Sequence, residues 1–447
     1  MMQLSIKKIA EVIGVVVPEA DITAGGVCID SRQVKAGDCF FAIKGDNFDG
    51  HNFIDQAFAS GAVCAVVSNN RRADNIINVA DTIQALGLLA NYYRLKAGYR
   101  VIAITGSAGK TTTKNMIYHV LSQHFLCHRS PKSFNNNIGL PLTLLGAEAD
   151  CKIVIAEIGS NHPGEISPLS IMATPDIAMI TNIYPTHLEG FGSIEAIIEE
   201  KVAITDGLRK TGIFFINADF VQLKAYCKEK KLDFKTFANI CEPDFDAASS
   251  SFNIDGIKVI LHSPGKANVE NAVAAWSVCS EFGITAELFA EAIRSFKPAE
   301  MRLDIMEIGP VTVLNDCYNA NPASMINALE VLRGLASEKK FRAVFICGTM
   351  GELGQHSREY HARLGEQIAE IGIELLLTAG TMSGEAAKAA SKRAGNRLKS
   401  EIFKNTKQLC DNLAKFIEPD DIILVKASRS ERFETVVNKL KEIFQYR

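Results

Sequence analysis

Residues 100–113 read Arg-Val-Ile-Ala-Ile-Thr-Gly-Ser-Ala-Gly-Lys-Thr-Thr-Thr, and the reading of this stretch decides the fold. An apolar run rich in β-branched residues has the character of a buried parallel strand, and it leads directly into Gly106-x-x-Gly109-Lys110-Thr111. The order is strand, glycine turn, helix. Glycines at 106 and 109 let the backbone N–H groups around Ser107, Ala108 and on to Thr112 turn inward about an anion, and the following helix adds the positive end of its dipole. Lys110 then reaches the outer phosphates of a nucleotide, and the Thr111 hydroxyl is placed to ligate the Mg²⁺ that accompanies them. The full phosphate-loop pattern has a glycine five residues before Gly109, where this chain has Ile104, so the motif is a shortened variant. The alternative is a glycine-rich turn that binds nothing, and the Lys-Thr-Thr that follows weighs against it.

Two further apolar runs end in polar groups. Lys152-Ile-Val-Ile-Ala-Glu157 delivers a carboxylate, and Asp176–Asn182 runs into Ile-Tyr-Pro-Thr-His187. In an open α/β sheet ligands bind outside the carboxyl ends of the strands, so Glu157 is a candidate ligand for nucleotide-bound Mg²⁺, directly or through water. Its alternative is a cap for the next helix. A lone histidine in a loop more often faces solvent, but three strand ends bringing Thr111, Glu157 and His187 to one rim favour a metal. Lys201, inside a helix expected over 193–203 beside Glu199 and Glu200, reads from charge pattern alone as a surface cation paired with its neighbours. Asn268 and Asn271, three apart on an alanine-rich helix, share a face; one or both read a base edge, or Asn271 satisfies a packed backbone group.

At 447 residues the chain is too long for one ordinary domain. Breaks near Gly98-Tyr-Arg100 and Phe296-Lys-Pro298 divide it into residues 1–98, 99–298 and 299–447. The last segment repeats a pattern of apolar strands ending in polar loops, at 311–315, 342–347, 374–378 and 421–425, with helical runs between, which makes a second α/β unit without a GxGxxG fingerprint. In the first segment, Asp30-Ser31-Arg32 and Lys44–Phe53 are too polar and glycine-rich for element interiors; they are solvated turns or loops that hold a phosphorylated or sugar-bearing ligand.

Apolar residues make up 47% of the chain and charged residues 22%, enough for sizeable cores. With 48 Lys and Arg against 51 Asp and Glu, no basic excess points to nucleic acid. Eleven scattered cysteines without a CxxC fit a reducing cytoplasm. The start lacks an apolar block after its lysines, so no signal peptide is expected, and no run reaches the length of a membrane span.

Several blocks in order resemble the Mur ligases over essentially the whole chain. They are Thr105–Thr112, Glu157, His187, Asn268 and Arg302, joined by Lys44–His51, Asn136–Thr143, Glu157–Ile166, His187–Gly192, Tyr318–Pro322 and Lys426–Ser430, which are more particular to the branch that adds D-alanyl-D-alanine. The resemblance implies three α/β domains: an N-terminal substrate domain, a central phosphate-loop ATPase on a mostly parallel sheet, and a C-terminal Rossmann-like domain. It implies ATP-dependent joining of D-alanyl-D-alanine to UDP-N-acetylmuramoyl-tripeptide through an acyl phosphate, by a cytoplasmic enzyme taken as a monomer by default.

The resemblance also assigns roles. Gly106, Ser107, Ala108, Gly109, Lys110, Thr111 and Thr112 would hold the ATP phosphates. Glu157 and His187 would help bind two Mg²⁺ with Thr111, and Lys201 matches a lysine that becomes carbamoylated and so turns into an anionic ligand. Lys110, His187 and Lys201 are thereby the catalytic set. Asn268 would lie near adenine, and Arg302 and Asp316 would reach the ribose and phosphates. Ser31, Arg32, Lys44, Asp49 and His51 would meet the uridine nucleotide, while Asn136, Asn137, Asn161, Asn319, Asn321, Ser428 and Arg429 would line the substrate side. The chain departs from the family pattern at Ala267, Thr349 and Ala427, where His, Asp and Gly are usual. A ligase adding a single amino acid and an inactive nucleotide-binding scaffold are the rival readings; the blocks at 44–51 and 318–322 weigh against the first, and the intact Lys110, Thr111, Glu157, His187 and Lys201 against the second.

Overall fold

The computed structural model describes residues 3–16, 22–237, 243–246 and 249–444. The strand read from residues 100–113 forms over Arg100–Thr105 and sits inside a six-stranded sheet. Across that sheet the order is Lys235–Phe237, Ile213–Asn217, Ile177–Ile180, Arg100–Thr105, Ile153–Glu157 and Cys127–Arg129, and every pairing is parallel. Parallel strands need crossover helices, which cover both faces, so the strands are apolar almost throughout. Ile102, Ile104, Ile153 and Ile155 pack on one side of the sheet; Val101, Ala103, Val154 and Ala156 pack on the other. The chain leaves Arg100–Thr105 towards one edge and later returns to its opposite side at Ile177–Ile180. This reversal of winding opens a crevice at the carboxyl ends.

At the front, four parallel strands run in the order Gly26–Cys28, Asp38–Phe41, Cys64–Val67 and Ile76–Asn78. The helix Thr82–Ala97 starts on an Asp81 cap, whose side chain accepts from the Ile83 and Gln84 amides, and ends on Gly98 at φ 70°. Sequence pattern puts Ile83, Leu86, Leu88, Leu89 and Tyr93 on its apolar face. Leu86, Leu89 and Tyr93 are buried, but Leu88 is 44% exposed, because two positions beyond Leu86 lies about 200° around the helix. Arg94 on this helix is buried and ties the front of the molecule to the central sheet through Asp176 at 2.6 Å and the carbonyls of Ala173, Tyr99 and Thr174.

The third sheet has the order Asp304–Ile308, Val311–Asn315, Ile422–Lys426, Ala343–Cys347, Leu375–Ala379 and Lys399–Phe403. Only its first pair is antiparallel. The four strands expected here all form; Asp304–Ile308 and Lys399–Phe403 escape a periodicity reading because edge strands are half exposed and carry charges. Between the two six-stranded sheets in the chain lies a small antiparallel sheet of Asp244–Phe245, Ser250–Ile254 and Ile257–Leu261.

Candidate functional site

Gly106 and Gly109 both adopt positive φ, 143° and 79°. A Cβ at 106 would stand 2.1 Å from the Thr181 hydroxyl, and one at 109 would stand 2.2 Å from Asn271 Oδ1, so neither position admits a side chain. The loop is pinned from the neighbouring strand end. Ala108 donates its N–H to Asn182 Oδ1 at 2.8 Å, and Thr181 donates its hydroxyl to the Ala108 carbonyl at 2.7 Å. Lys110 opens the helix Lys110–Leu121 and bends back to donate to the Gly106 carbonyl at 2.6 Å. Burial, with Arg302 nearby, holds its amine below the ordinary lysine value.

Glu157 ends its strand fully buried beside this loop. Its Oε2 accepts from the Thr111 hydroxyl at 2.8 Å and lies 3.3 Å from Lys114 Nζ, and its Oε1 accepts from Asn135 at 3.1 Å. Burial alone would raise this carboxyl, but Lys114, Lys110, Arg302 and the Thr111 hydroxyl outweigh it and hold the group ionised below its usual range. Lys114 is a residue that sequence reasoning missed. It is buried, and its Nζ also donates to the carbonyls of Ser130 and Lys132 at 3.0 and 2.6 Å, binding the 130–139 loop to the acid. The available signal was its spacing, four residues after Lys110 on the same helix.

Lys201 is not the surface cation that charge pattern suggests. It is 1% exposed, and its polar contact among the described residues is the Ser160 hydroxyl at 2.7 Å. Glu200, its expected partner, instead accepts from the amides of Gly164, Glu165 and Ile166 and so caps the helix Ile166–Ala173. Burial first, and Lys110 second, pull the Lys201 amine down to about 7. Its ammonium lies against Ser160 and 5.5 Å from the centre of the Phe191 ring, and nothing in local sequence reveals which side of the helix faces inward.

The third unit closes over this rim. Arg302 donates to the Thr111 hydroxyl at 3.1 Å and stacks its guanidinium 4.1 Å from the centre of the Tyr318 ring. Asp316 accepts from buried Lys426 at 2.5 Å and from the Leu303 amide at 3.1 Å, which fixes the turn that carries Arg302. His187 Nδ1 faces Glu352 Oε2 at 2.6 Å across the same junction, with both residues at positive φ, 53° and 61°. The loop bearing Glu352 is fixed by Ser428, whose hydroxyl donates to the Thr349 carbonyl and accepts from Gly351, and by buried His361, which accepts from Met350 at 2.9 Å.

These groups surround one cavity of about 1260 Å³. Its walls hold Ser107–Thr112, Glu157, His187, Asn268, Arg302 and Asp316, together with Asn136, Asn137, Asn161, Asn319, Asn321, Ser428 and Arg429. Lys201 stands behind Ser160, which does line it. Ser31, Arg32, Lys44, Asp49 and His51 lie outside the cavity and are engaged locally: Arg32 grips Asp30 at 2.8 Å, Ser31 donates to Gln56, and His51 bridges Asp49 and the Ser68 amide. Several lining groups already spend part of their hydrogen-bonding capacity on the fold. The Asn136 and Asn321 oxygens cap helices, Asn268 donates to Ser263 and Pro264, and Asn271 accepts from Thr113.

Thr111 and Glu157 place two hard oxygen donors side by side, which suits Mg²⁺ that keeps water and phosphate as its other ligands. Among the described residues no group of three or more His, Cys, Asp or Glu is arranged to hold a metal by itself.

Family models described as Mur ligase family, catalytic domain, Mur ligase middle domain, and Mur ligase, glutamate ligase domain match residues 23–101, 104–279 and 301–429. A UDP-N-acetylmuramoyl-tripeptide--D-alanyl-D-alanine ligase of Bacillus subtilis is 35% identical, with 99% of each chain covered. Among solved structures, MurF from Acinetobacter baumannii superposes with a TM-score of 0.89 at 28% identity, again over 99% of both chains. A MurF ligase from Thermotoga maritima in complex with ADP gives a TM-score of 0.82 at 27% identity, over 94% of this chain and 98% of that one. The chain belongs to the Mur ligase family.

Proposed function

We propose that the protein joins D-alanyl-D-alanine to UDP-N-acetylmuramoyl-tripeptide with hydrolysis of ATP, in the cytoplasmic phase of cell-wall precursor synthesis. The observation that carries this reading is the shared cavity: the phosphate loop and Glu157 of the central unit face Arg302, Asn319, Asn321 and Arg429 of the third across a single space. Full-length similarity to ligases of that name supports the substrate pair. We assign the boundaries 1–98, 99–298 and 299–447; the four-stranded sheet and the two six-stranded sheets each fall within one of these segments, which supports the division.

A carboxylate is a poor acyl donor because oxide is a very poor leaving group. In the proposed reaction the terminal carboxylate of the tripeptide attacks the γ-phosphorus of ATP, the bond to the β-phosphate oxygen breaks, and ADP leaves. The amine of D-alanyl-D-alanine then attacks the resulting acyl phosphate and loses a proton. Inorganic phosphate departs from the tetrahedral intermediate with one of the original carboxyl oxygens. Loop amides and Lys110 orient the phosphates and offset the charge that spreads over the transferring group, and Arg302 adds a second cation when the third unit is closed. Mg²⁺ held at Thr111 and Glu157 would supply further neutralisation of phosphate oxygens.

Lys201 is read as the site of carbamoylation. Its low amine pKa leaves a large neutral fraction near pH 7, and a neutral amine is the form that adds CO₂. Uridine recognition by Ser31, Arg32, Lys44, Asp49 and His51, and peptide contacts by the asparagines, Ser428 and Arg429, complete the reading.

The test uses tripeptide substrate labelled with ¹⁸O in its terminal carboxyl. One label should appear in the phosphate released, and its absence would overturn the acyl-phosphate route. Lys110→Ala should lower ADP formation about a hundredfold or more, the effect of removing an electrostatic contact worth about 3 kcal/mol in the transition state; near-normal turnover would refute its role.

A further inference from the structure

We propose that Glu270 selects the nucleotide base: its carboxylate accepts a hydrogen bond from the exocyclic amine of adenine. The inference rests on the reading of ATP as the energy source and adds a residue that the family pattern does not assign. Glu270 belongs to the helix Lys266–Cys279 and lines the same cavity as Ser107–Thr112. Its neighbour Asn271 touches the phosphate loop directly, since its Oδ1 accepts from Thr113 at 3.2 Å and occupies the space beside Gly109. Ala267, one turn before Glu270 and Asn271, continues that face, and its small side chain stands where the family pattern has histidine.

Tyr184 lines the same cavity and is joined to the phosphate loop by two bonds with Ser107, both 2.9 Å. Its ring is braced edge-on by Phe220 at 5.2 Å. Burial, and next the charges of Glu270 and Asp219, push the Tyr184 phenol up to about 12. An aromatic ring and a carboxylate therefore share the cavity wall that carries the phosphate loop, and together they suit a purine.

The carboxylate itself asks for a donor. The Glu270 side chain is only 18% exposed, and among the described residues it has no hydrogen bond; the nearest cation is Lys266 Nζ at 3.9 Å. Burial raises its pKa, as expected for an acid short of partners. A buried acceptor left unmatched is costly, and a ligand N–H removes that cost. Adenine presents an amine at its six position, whereas guanine presents a carbonyl oxygen that the carboxylate repels.

The experiment is calorimetric titration of the full chain with ATP, GTP, dATP and the triphosphate of purine riboside, which is adenosine without the amine, in Mg²⁺ buffer. Wild type should bind ATP about tenfold more tightly than the purine riboside triphosphate, as a charge-assisted hydrogen bond implies. E270A should bring that ratio to within about twofold. E270Q should admit GTP, because its amide can rotate to donate to the guanine oxygen. Equal wild-type affinity for ATP and the purine riboside triphosphate overturns the proposal without any variant, and so does an unchanged ratio in E270A. Collapse of the ATP to dATP ratio instead would place the carboxylate on the ribose and also overturn it. If wild type fails to bind ATP at all, the functional reading fails as well.

Discussion

Replacing Lys201 with methionine should stabilise the protein, and by an amount that depends on pH in a defined direction. The folded environment lowers this amine from 10.5 to about 7, chiefly through burial. Between those values the unfolded chain carries a proton that the folded chain has shed, so stability rises with pH across the interval. Burial of the lysine therefore carries no charge penalty above about pH 10.5 and its full penalty below about pH 7. A gap of about 3.5 pH units at roughly 1.4 kcal/mol each gives on the order of 5 kcal/mol below pH 7, and about 2 kcal/mol remains at pH 9. Methionine fills the space without a charge and loses the Ser160 hydrogen bond, a loss that does not vary with pH. The variant's advantage should thus be about 3 kcal/mol larger at pH 6 than at pH 9. At roughly 2–4 °C per kcal/mol for a domain of this size, that is about 6–12 °C in the difference between the two midpoints. The assay is calorimetric melting of both proteins in CO₂-free buffer at the two pH values, following the transition of the central unit. A midpoint difference that is the same at both would refute the argument. Added bicarbonate at pH 8 should raise the wild-type midpoint and leave Lys201→Met unmoved, since only the lysine can become a carbamate.

Lys114→Met removes a buried cation from Glu157 and from two loop carbonyls, and breaking such a pair typically costs 3–5 kcal/mol. We expect a lowered melting midpoint together with at least a tenfold fall in kcat; a variant with wild-type kcat would show that the loop at 130–139 needs no such anchor. Arg94→Met should destabilise by a similar amount through loss of Asp176 and three carbonyl contacts, while KM for ATP stays within about twofold, because Arg94 does not itself line the cavity. A large change in KM would mean that the front unit's seating controls the nucleotide site.

The phosphate loop was legible because its function is local. Two glycines, a lysine and a threonine make an anion cradle wherever a parallel strand feeds a helix, and the neighbouring strand ends were readable from apolar runs closing on Glu157 and near His187. Sequence alone therefore determined the α/β class, the central ATPase-like unit, and the rim to which Thr111, Glu157 and His187 belong. It did not determine the environment of individual charges. Lys201 and Glu200 are adjacent and look like a solvated pair, yet one is buried against Ser160 and the other caps a different helix. Lys114 looks like any helix-surface lysine until the loop at 130–132 folds over it. Glu270 becomes informative only when Tyr184, 86 positions earlier in the chain, is brought beside the same loop. Backbone motifs are written in neighbouring residues, whereas desolvation and charge pairing depend on what distant segments place around a group, so only the tertiary structure decided them.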